Sequence, residues 1–317
     1  MKILNEIVQP GETKTINLEI AKFHTATKLK IPIIVSRSKI DGPTVLLSSG
    51  LHGDELNGID IVRQIIFKKI NIPKRGTIIC IPVINIFGFI NKTREFPDGR
   101  DLNRMFPGSK NGSLASRFAY HLVNYILPLV DYVIDFHAGG QSRFNAAQLR
   151  VAPGNDELED LAKIFHPPFL LYSNNISGSF RSACSKKGIK ALLFEGGKSM
   201  DINSNISTIG IEGTMRFLNH FGMLRDQFEI TEPQDKMTTI TNSAWMRAKV
   251  SGLLIDQISV NTFVKKGTIL ASIADPYGKE SALIKAPHEG YIINVNDVPI
   301  VYQGDAIFHI SKKIKHD

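Results

Sequence analysis

Thr44-Val45-Leu46-Leu47-Ser48-Ser49-Gly50-Leu51-His52-Gly53-Asp54-Glu55 is the stretch on which the fold turns. Its first six residues form the short apolar run of a buried strand, and the turn that follows carries an imidazole and a carboxylate. A helix reads from about Glu55 to Lys69, with Ile59, Ile61, Val62, Ile65 and Ile66 apolar. Gly76-Thr77-Ile78-Ile79-Cys80-Ile81-Pro82-Val83 is a second buried strand. Strand, helix, strand in that order implies a right-handed crossover and a largely parallel sheet. The strand-then-loop pattern returns at Tyr132-Val133-Ile134-Asp135-Phe136-His137-Ala138-Gly139-Gly140. Two imidazoles and one carboxylate therefore stand where parallel strands end. Two His and one Glu are a common ligand set for a catalytic zinc that keeps its fourth position open to water. The His52-x-x-Glu55 spacing brings both side chains to one side of a tight turn or first helical turn, and His137 is the distant third ligand.

Outward from this centre, the alternation in Ile16-Asn17-Leu18-Glu19-Ile20 and Lys30-Ile31-Pro32-Ile33-Ile34-Val35 predicts antiparallel strands at a sheet edge. Leu114 to Leu127 reads as a helix feeding the Tyr132 strand. Glu157–Phe165 and Ser179–Lys187 read as helices, Ala191-Leu192-Leu193-Phe194 as a strand, and Asn205 to Phe221 as a long helix ending near Gly222. The sum is an α/β domain over residues 1–232, a mixed, largely parallel sheet with helices on both faces. The composition changes after about Glu232. From Ala244 onward, short strands are divided by Lys266-Gly267, Asp275-Pro276-Tyr277-Gly278, His288-Glu289-Gly290 and Gln303-Gly304-Asp305. A small all-β domain over 233–317 is expected.

The composition narrows the function. With 43% apolar and 21% charged residues, the chain of 317 residues reads as a soluble globular protein. No apolar run approaches the roughly 20 residues of a membrane span, so no membrane partner is expected. Met1-Lys2-Ile3-Leu4-Asn5-Glu6 lacks the character of a signal peptide, and Cys80 and Cys184 alone give no disulfide framework. A cytoplasmic location follows as the plain expectation. The net charge of +8 comes from lysines scattered among acidic residues. No arginine-rich helix, aromatic stacking platform or zinc finger accompanies them, which argues against a nucleic-acid partner. Such a surface instead helps a carboxylate-bearing substrate find its site.

Five segments occur in an informative order: Gly50–Glu55, Asp98-Gly99-Arg100-Asp101-Leu102-Asn103-Arg104, Asp135-Phe136-His137, Phe194-Glu195-Gly196-Gly197 and the C-terminal β segment. Together they resemble the succinylglutamate desuccinylase/aspartoacylase family, relatives of the zinc carboxypeptidases, over nearly the whole length. The resemblance implies a zinc carboxypeptidase-like α/β fold with one Zn2+ per chain on His52, Glu55 and His137. It implies Glu195 as general acid/base, taking a proton from the attacking water and passing it to the leaving amine. Arg94 resembles the arginine that stabilises the oxyanion, with Arg100 a nearby rival. Asn103 and Arg104 match residues that bind the substrate's carboxylate, and Arg181 would be a second anion contact. Asp101 would support His52 by accepting its second ring proton; Asp135, on the strand face of His137, competes for such work.

The C-terminal domain, which resembles a barrel-sandwich hybrid, would border the cleft and favour small N-acyl amino acids over peptides. The implied activity is zinc-dependent hydrolysis of the linear amide bond in a small anionic N-acyl amino acid. Two alternatives stay open: a zinc carboxypeptidase acting on peptides or cell-wall fragments, and a non-catalytic small-molecule binding protein. A homo-oligomer is compatible with the family. The chain departs from its pattern at Asn85-Ile86-Phe87-Gly88, where many relatives carry Asn-Pro. Val264-Lys265-Lys266-Gly267 and Lys285-Ala286-Pro287-His288-Glu289-Gly290 resemble biotinyl and lipoyl carrier modules, with Lys279 near the modified position. The neighbours Asp275–Gly278 do not resemble an attachment sequence, so Lys279 reads as an exposed hairpin lysine.

Overall fold

The computed structural model describes residues 1–22, 26, 28–233, 235–278 and 281–315, so Lys279 lies outside the described residues. Its main sheet has a block of four parallel strands at the centre. Thr77–Ile81, Thr44–Ser49, Tyr132–Gly139 and Lys190–Lys198 run side by side in that order, all parallel. At one edge Lys28–Arg37 and Thr13–Lys22 add antiparallel strands, as the alternation of their residues predicts. On the other side Arg143–Val151 lies antiparallel to Lys190–Lys198, and Phe169–Tyr172 runs parallel to Arg143–Val151. The mixed, largely parallel sheet expected of residues 1–232 is what the described residues form: four of its seven strand pairings are parallel. Between Gly139 and Arg143 only residues 140–142 intervene. A parallel continuation needs a crossover of a dozen or more residues, so the chain must run back.

Helices cover both faces. Leu56–Phe67, Asp156–Phe165 and Ser204–His220 press Ile61, Val62, Ile65, Phe165 and Phe217 against Phe136 and Phe194 of the central strands. Burying each such side chain contributes roughly 1.5–3 kcal/mol. On the opposite face Leu114–His121 and Phe180–Lys186 pack Phe118, Ala119, Phe180 and Cys184 over Ile79, Val133 and Ala191. The helix expected to reach Leu127 stops being α-helical at His121; Leu122–Ile126 widens into a π turn and Leu127–Leu129 tightens into a 3-10 turn. Pro128 has no N–H to give the carbonyl of Asn124, and its ring crowds that carbonyl.

The C-terminal strands join this sheet directly. Thr238–Arg247 pairs in parallel with Phe169–Tyr172, and Ala306–Lys315 and Gly290–Asn296 follow antiparallel. Gly290–Asn296 then pairs back onto Arg143–Val151. The strands from 143, 169, 238, 306 and 290 therefore close a barrel-like ring around Ala146, Phe169, Leu171, Ile240 and Ile293. A second sheet of Ser281–Lys285, Ile269–Ala274, Gly252–Ile255 and Ile300–Val301 packs over the ring through Leu254, Leu270, Ile273, Ile284 and Phe308. Among the described residues no helix is long and apolar enough to cross a membrane.

Candidate active site

His52, Glu55 and His137 meet at the C-terminal ends of the parallel strands, each at most 3% exposed. His52 Nδ1 lies 2.7 Å from Glu55 Oε1, and His137 Nδ1 lies 2.8 Å from Glu55 Oε2. The potential ligand atoms of all three fall within 4.8 Å of one another. Behind the rings, His52 Nε2 is 3.2 Å from Asp101 Oδ1, and His137 Nε2 is 2.9 Å from Asp135 Oδ2. Ser48 Oγ donates to the other Asp135 oxygen at 2.7 Å. A carboxylate that takes the Nε2 proton leaves the Nδ1 lone pair directed at Glu55, the orientation that imidazole ligands of a metal require. Asp101 and Asp135, rivals in the sequence, thus stand behind different histidines.

The charges in this cluster depend on one another. Burial opposes ionisation of Glu55, but the two imidazoles outweigh it and hold the carboxyl well below its ordinary range. Burial likewise opposes a charge on His137, and Asp135 and Glu55 overcome it, raising the imidazole well above its usual value. Asp101 is lowered despite burial by His52 and Arg94. Two nitrogens and a carboxylate, buried and backed by carboxylates, fit a divalent ion such as zinc.

Local sequence builds the loops that carry these groups. Asn85 accepts the Gly88 N–H at 2.9 Å, capping the short helix Ile86–Asn91. Its Nδ2 donates to the carbonyls of Arg94 and Glu95 at 3.2 and 3.1 Å, which fixes the Arg94 loop. The Asn85-Ile86-Phe87-Gly88 turn is thus held by a capped helix. Arg94 Nη1 reaches 3.1 Å from both Glu55 Oε1 and His52 Nδ1, and its Nη2 donates to Asp101 Oδ2 at 3.0 Å. Arg100, its rival, pairs instead with Asp98 at 3.4 Å on the surface.

A cavity of about 510 Å3 opens over this cluster, lined among others by Asn103, Arg104, Arg181, Glu195 and Trp245. Glu195 is the strand partner of His137, so the two lie side by side. Its Oε2 accepts Asn145 Nδ2 at 2.9 Å, and Arg150 Nη1 lies 3.6 Å from Oε1. Asn103 Oδ1 accepts the Phe180 N–H at 2.9 Å, tying the Asp101 segment to the start of the Phe180–Lys186 helix. Arg104 Nη1 donates to the Asn103 carbonyl at 2.8 Å. Arg181 donates to the carbonyls of Arg150, Ser173 and Asn174 at 2.9, 3.1 and 2.9 Å. Burial and then Arg150 lower it to about 10, which leaves it charged at neutral pH. Arg181 thus braces backbone with donors that a substrate anion would otherwise receive.

Several lining residues escaped the sequence reading: Arg143, Asn145 and Arg150 on an unpredicted strand, and Trp245 and Asn294 from the C-terminal segment. Polar residues at every second position, Arg143-x-Asn145 and Gln148-x-Arg150, were the available signal.

The sheet, its flanking helices and the ligand cluster define an α/β protein with a candidate metal centre at its strand ends. The chain belongs to the succinylglutamate desuccinylase/aspartoacylase family: residues 41–221 match the model of the Succinylglutamate desuccinylase/Aspartoacylase catalytic domain. The N-alpha-acetyl-L-2,4-diaminobutyric acid deacetylase of Halomonas elongata is 27% identical over 299 residues, covering 90% of this chain and 86% of its own. The product-bound ectoine utilization protein EutE (DoeB) from Ruegeria pomeroyi superposes with a TM-score of 0.85 at 21% identity over 97% of each chain. A succinylglutamate desuccinylase/aspartoacylase structure from Rhodobacter sphaeroides gives a TM-score of 0.83 at 24% identity over 100% of each. These likenesses show that the chain shares the overall fold of those structures.

Proposed function

We propose that this chain is a zinc-dependent amidohydrolase that removes the acyl group from a small, carboxylate-bearing N-acyl amino acid. The supporting observation is the buried His52–Glu55–His137 cluster with Glu195 beside it in one arginine-lined cavity. His52, Glu55 and His137 would hold the ion. When bound, it supplies Lewis-acid polarisation of a carbonyl and acidifies water. Glu195 accepts the proton of the attacking water and delivers it to the leaving nitrogen. The water oxygen bonds to the acyl carbon, the C–N bond breaks, and a carboxylic acid and an amine leave. Arg94 offers its guanidinium to the negative charge that develops on the acyl oxygen. Arg104, beside Asn103, meets the substrate carboxylate with a planar fork that lysine lacks. We assign residues 1–232 the catalytic role and 233–317 the bordering of the cleft, where Trp245 and Asn294 narrow it toward small substrates.

The test is a zinc-loaded screen of N-acetyl and N-succinyl amino acids, among them N-alpha-acetyl-L-2,4-diaminobutyric acid, with short peptides as the competing class. Turnover of an N-acyl class is expected, with kcat lowered about 100- to 10,000-fold in Glu195→Gln. Release of C-terminal residues from peptides alone would replace this reading with a carboxypeptidase. Protein that takes up no metal would remove its basis.

A further inference from the structure

We infer that Asn294 and Asn145 form a buried amide relay through which the C-terminal β segment positions the carboxylate of Glu195. The inference rests on the reading of Glu195 as the catalytic base and adds a role for two residues outside the metal cluster.

The relay begins with an irregularity in strand pairing. Glu195 stands opposite Gln148, yet Gly197, two residues on, stands opposite Asn145 rather than residue 146. One extra residue has been fitted into the Arg143–Val151 strand. Side chains alternate between faces along a strand, so a regular register would turn Asn145 away from Glu195; the bulge returns it to the same face. Asn145 Nδ2 then donates to Glu195 Oε2 at 2.9 Å.

An asparagine amide has two ends of nearly the same shape, one donating and one accepting. Only its neighbours decide which end meets the carboxylate. Here Asn294 Nδ2 donates to Asn145 Oδ1 at 2.7 Å. Turned over, Asn145 would set oxygen against the Glu195 carboxylate and NH2 against the NH2 of Asn294, two repulsive contacts. Asn145 is 4% exposed and Asn294 2%, so little water competes for either bond.

The backbone of Asn294 is placed by a row of directly paired residues that crosses the sheet: Gly197, Asn145, Asn294, His309, Trp245. At its far end the His309 and Trp245 rings stack 4.7 Å apart and 6° from parallel. The row exists because Gly290–Asn296 pairs with Arg143–Val151 and closes the ring. Asn145 and Asn294 are positioning residues: they hold the rotamer of Glu195, and the chemistry stays with Glu195.

The experiment compares zinc-loaded wild type with Asn294→Ala, Asn294→Leu, Asn145→Ala and the double variant Asn145→Ala/Asn294→Leu. The substrate is whichever of N-acetyl-L-aspartate, N-succinyl-L-glutamate or N-alpha-acetyl-L-2,4-diaminobutyric acid the wild type hydrolyses. Loss of a hydrogen bond to a charged group predicts a fall in kcat of about 10- to 100-fold for Asn145→Ala, and about tenfold for either Asn294 variant. KM should stay within about twofold, and the double variant should fall no further than Asn145→Ala, since the two residues act in series. Leucine keeps the branched heavy-atom skeleton of asparagine without its hydrogen-bonding groups, so loss of packing alone would penalise Asn294→Ala and not Asn294→Leu. That pattern, or additive losses, or unchanged kcat would overturn the relay. A crystal structure of Asn294→Leu decides independently of turnover: the Asn145 amide should leave the 2.9 Å contact with Glu195, and an unmoved amide refutes the inference. Glu195→Gln separates the two levels. If Glu195→Gln retains full activity, the base reading itself fails; if it is inactive while both Asn294 variants are normal, only the relay does.

Discussion

Acidification from pH 7 to 4.5 will destabilise the folded chain through His309. Its imidazole is stacked on Trp245 with ring centroids 4.7 Å apart. Burial, and then the charge of Arg150, lower it from 6.5 to about 4. Its other neighbours in the sheet row, Asn294 and Trp245, carry no charge. The folded value lies below the unfolded one, so the unfolded chain takes up the proton first as pH falls. His309 therefore has no effect on stability above about 6.5, lowers it between about 6.5 and 4, and adds nothing further below that. A tenfold difference in proton affinity between the folded and unfolded chain is worth about 1.4 kcal/mol, so the full penalty is about 3 kcal/mol and that at pH 4.5 about 2 kcal/mol. Urea unfolding of wild type and His309→Phe at both pH values isolates the effect. Phenylalanine keeps the stack, and every other titrating group is common to the two proteins. The wild type should lose about 2 kcal/mol more than the variant. Equal losses would refute the reasoning. Trp245 is the sole tryptophan, and a protonated imidazole in contact quenches it, so its fluorescence in the folded protein should titrate near 4. A midpoint at 6.5 would mean that the ring is fully solvated.

Two further outcomes follow from the packing around the cavity. A Cβ on Gly53 would fall 2.0 Å from the backbone carbon of Gly88 and 2.1 Å from the nitrogen of Phe89, so Gly53→Ala must push apart the loops carrying His52 and Arg94. Thermal unfolding should show a loss of about 1–3 kcal/mol with weakened zinc binding, and an unchanged Tm would contradict the close approach. Trp245 lines the cavity and is 40% exposed, so titration with the product amino acid should change its fluorescence. A flat titration curve, at concentrations that inhibit turnover, would place the ligand away from that wall.

The ligand cluster was legible because its residue types are chemically restricted and its loops follow buried apolar strands. Those strands and the long helices announce themselves by periodicity, which local burial imposes on sequence. Arg143–Val151 did not. Arg143, Asn145 and Arg150 line the cavity and Gln148 is buried, and such a strand reads as polar loop. The choice between Arg94 and Arg100 was equally hidden, because it hangs on Asn85 donating to the carbonyls of Arg94 and Glu95. Asp101 and Asp135 competed on paper because sequence offers no distances; in space each has its own imidazole.

What the sequence by itself determined is the inventory: an α/β segment with two histidines and a glutamate at strand ends, and a turn-rich β segment after it. Tertiary structure alone decided how the two are joined. Asn145 and Asn294 lie 149 residues apart, and nothing local to either foretells the other. Their contact depends on one extra residue in a strand and on the register of a ring closed from five strands. Local patterning reports which side of a strand is buried; which strand it meets, and in what register, is set by the packing of the whole chain.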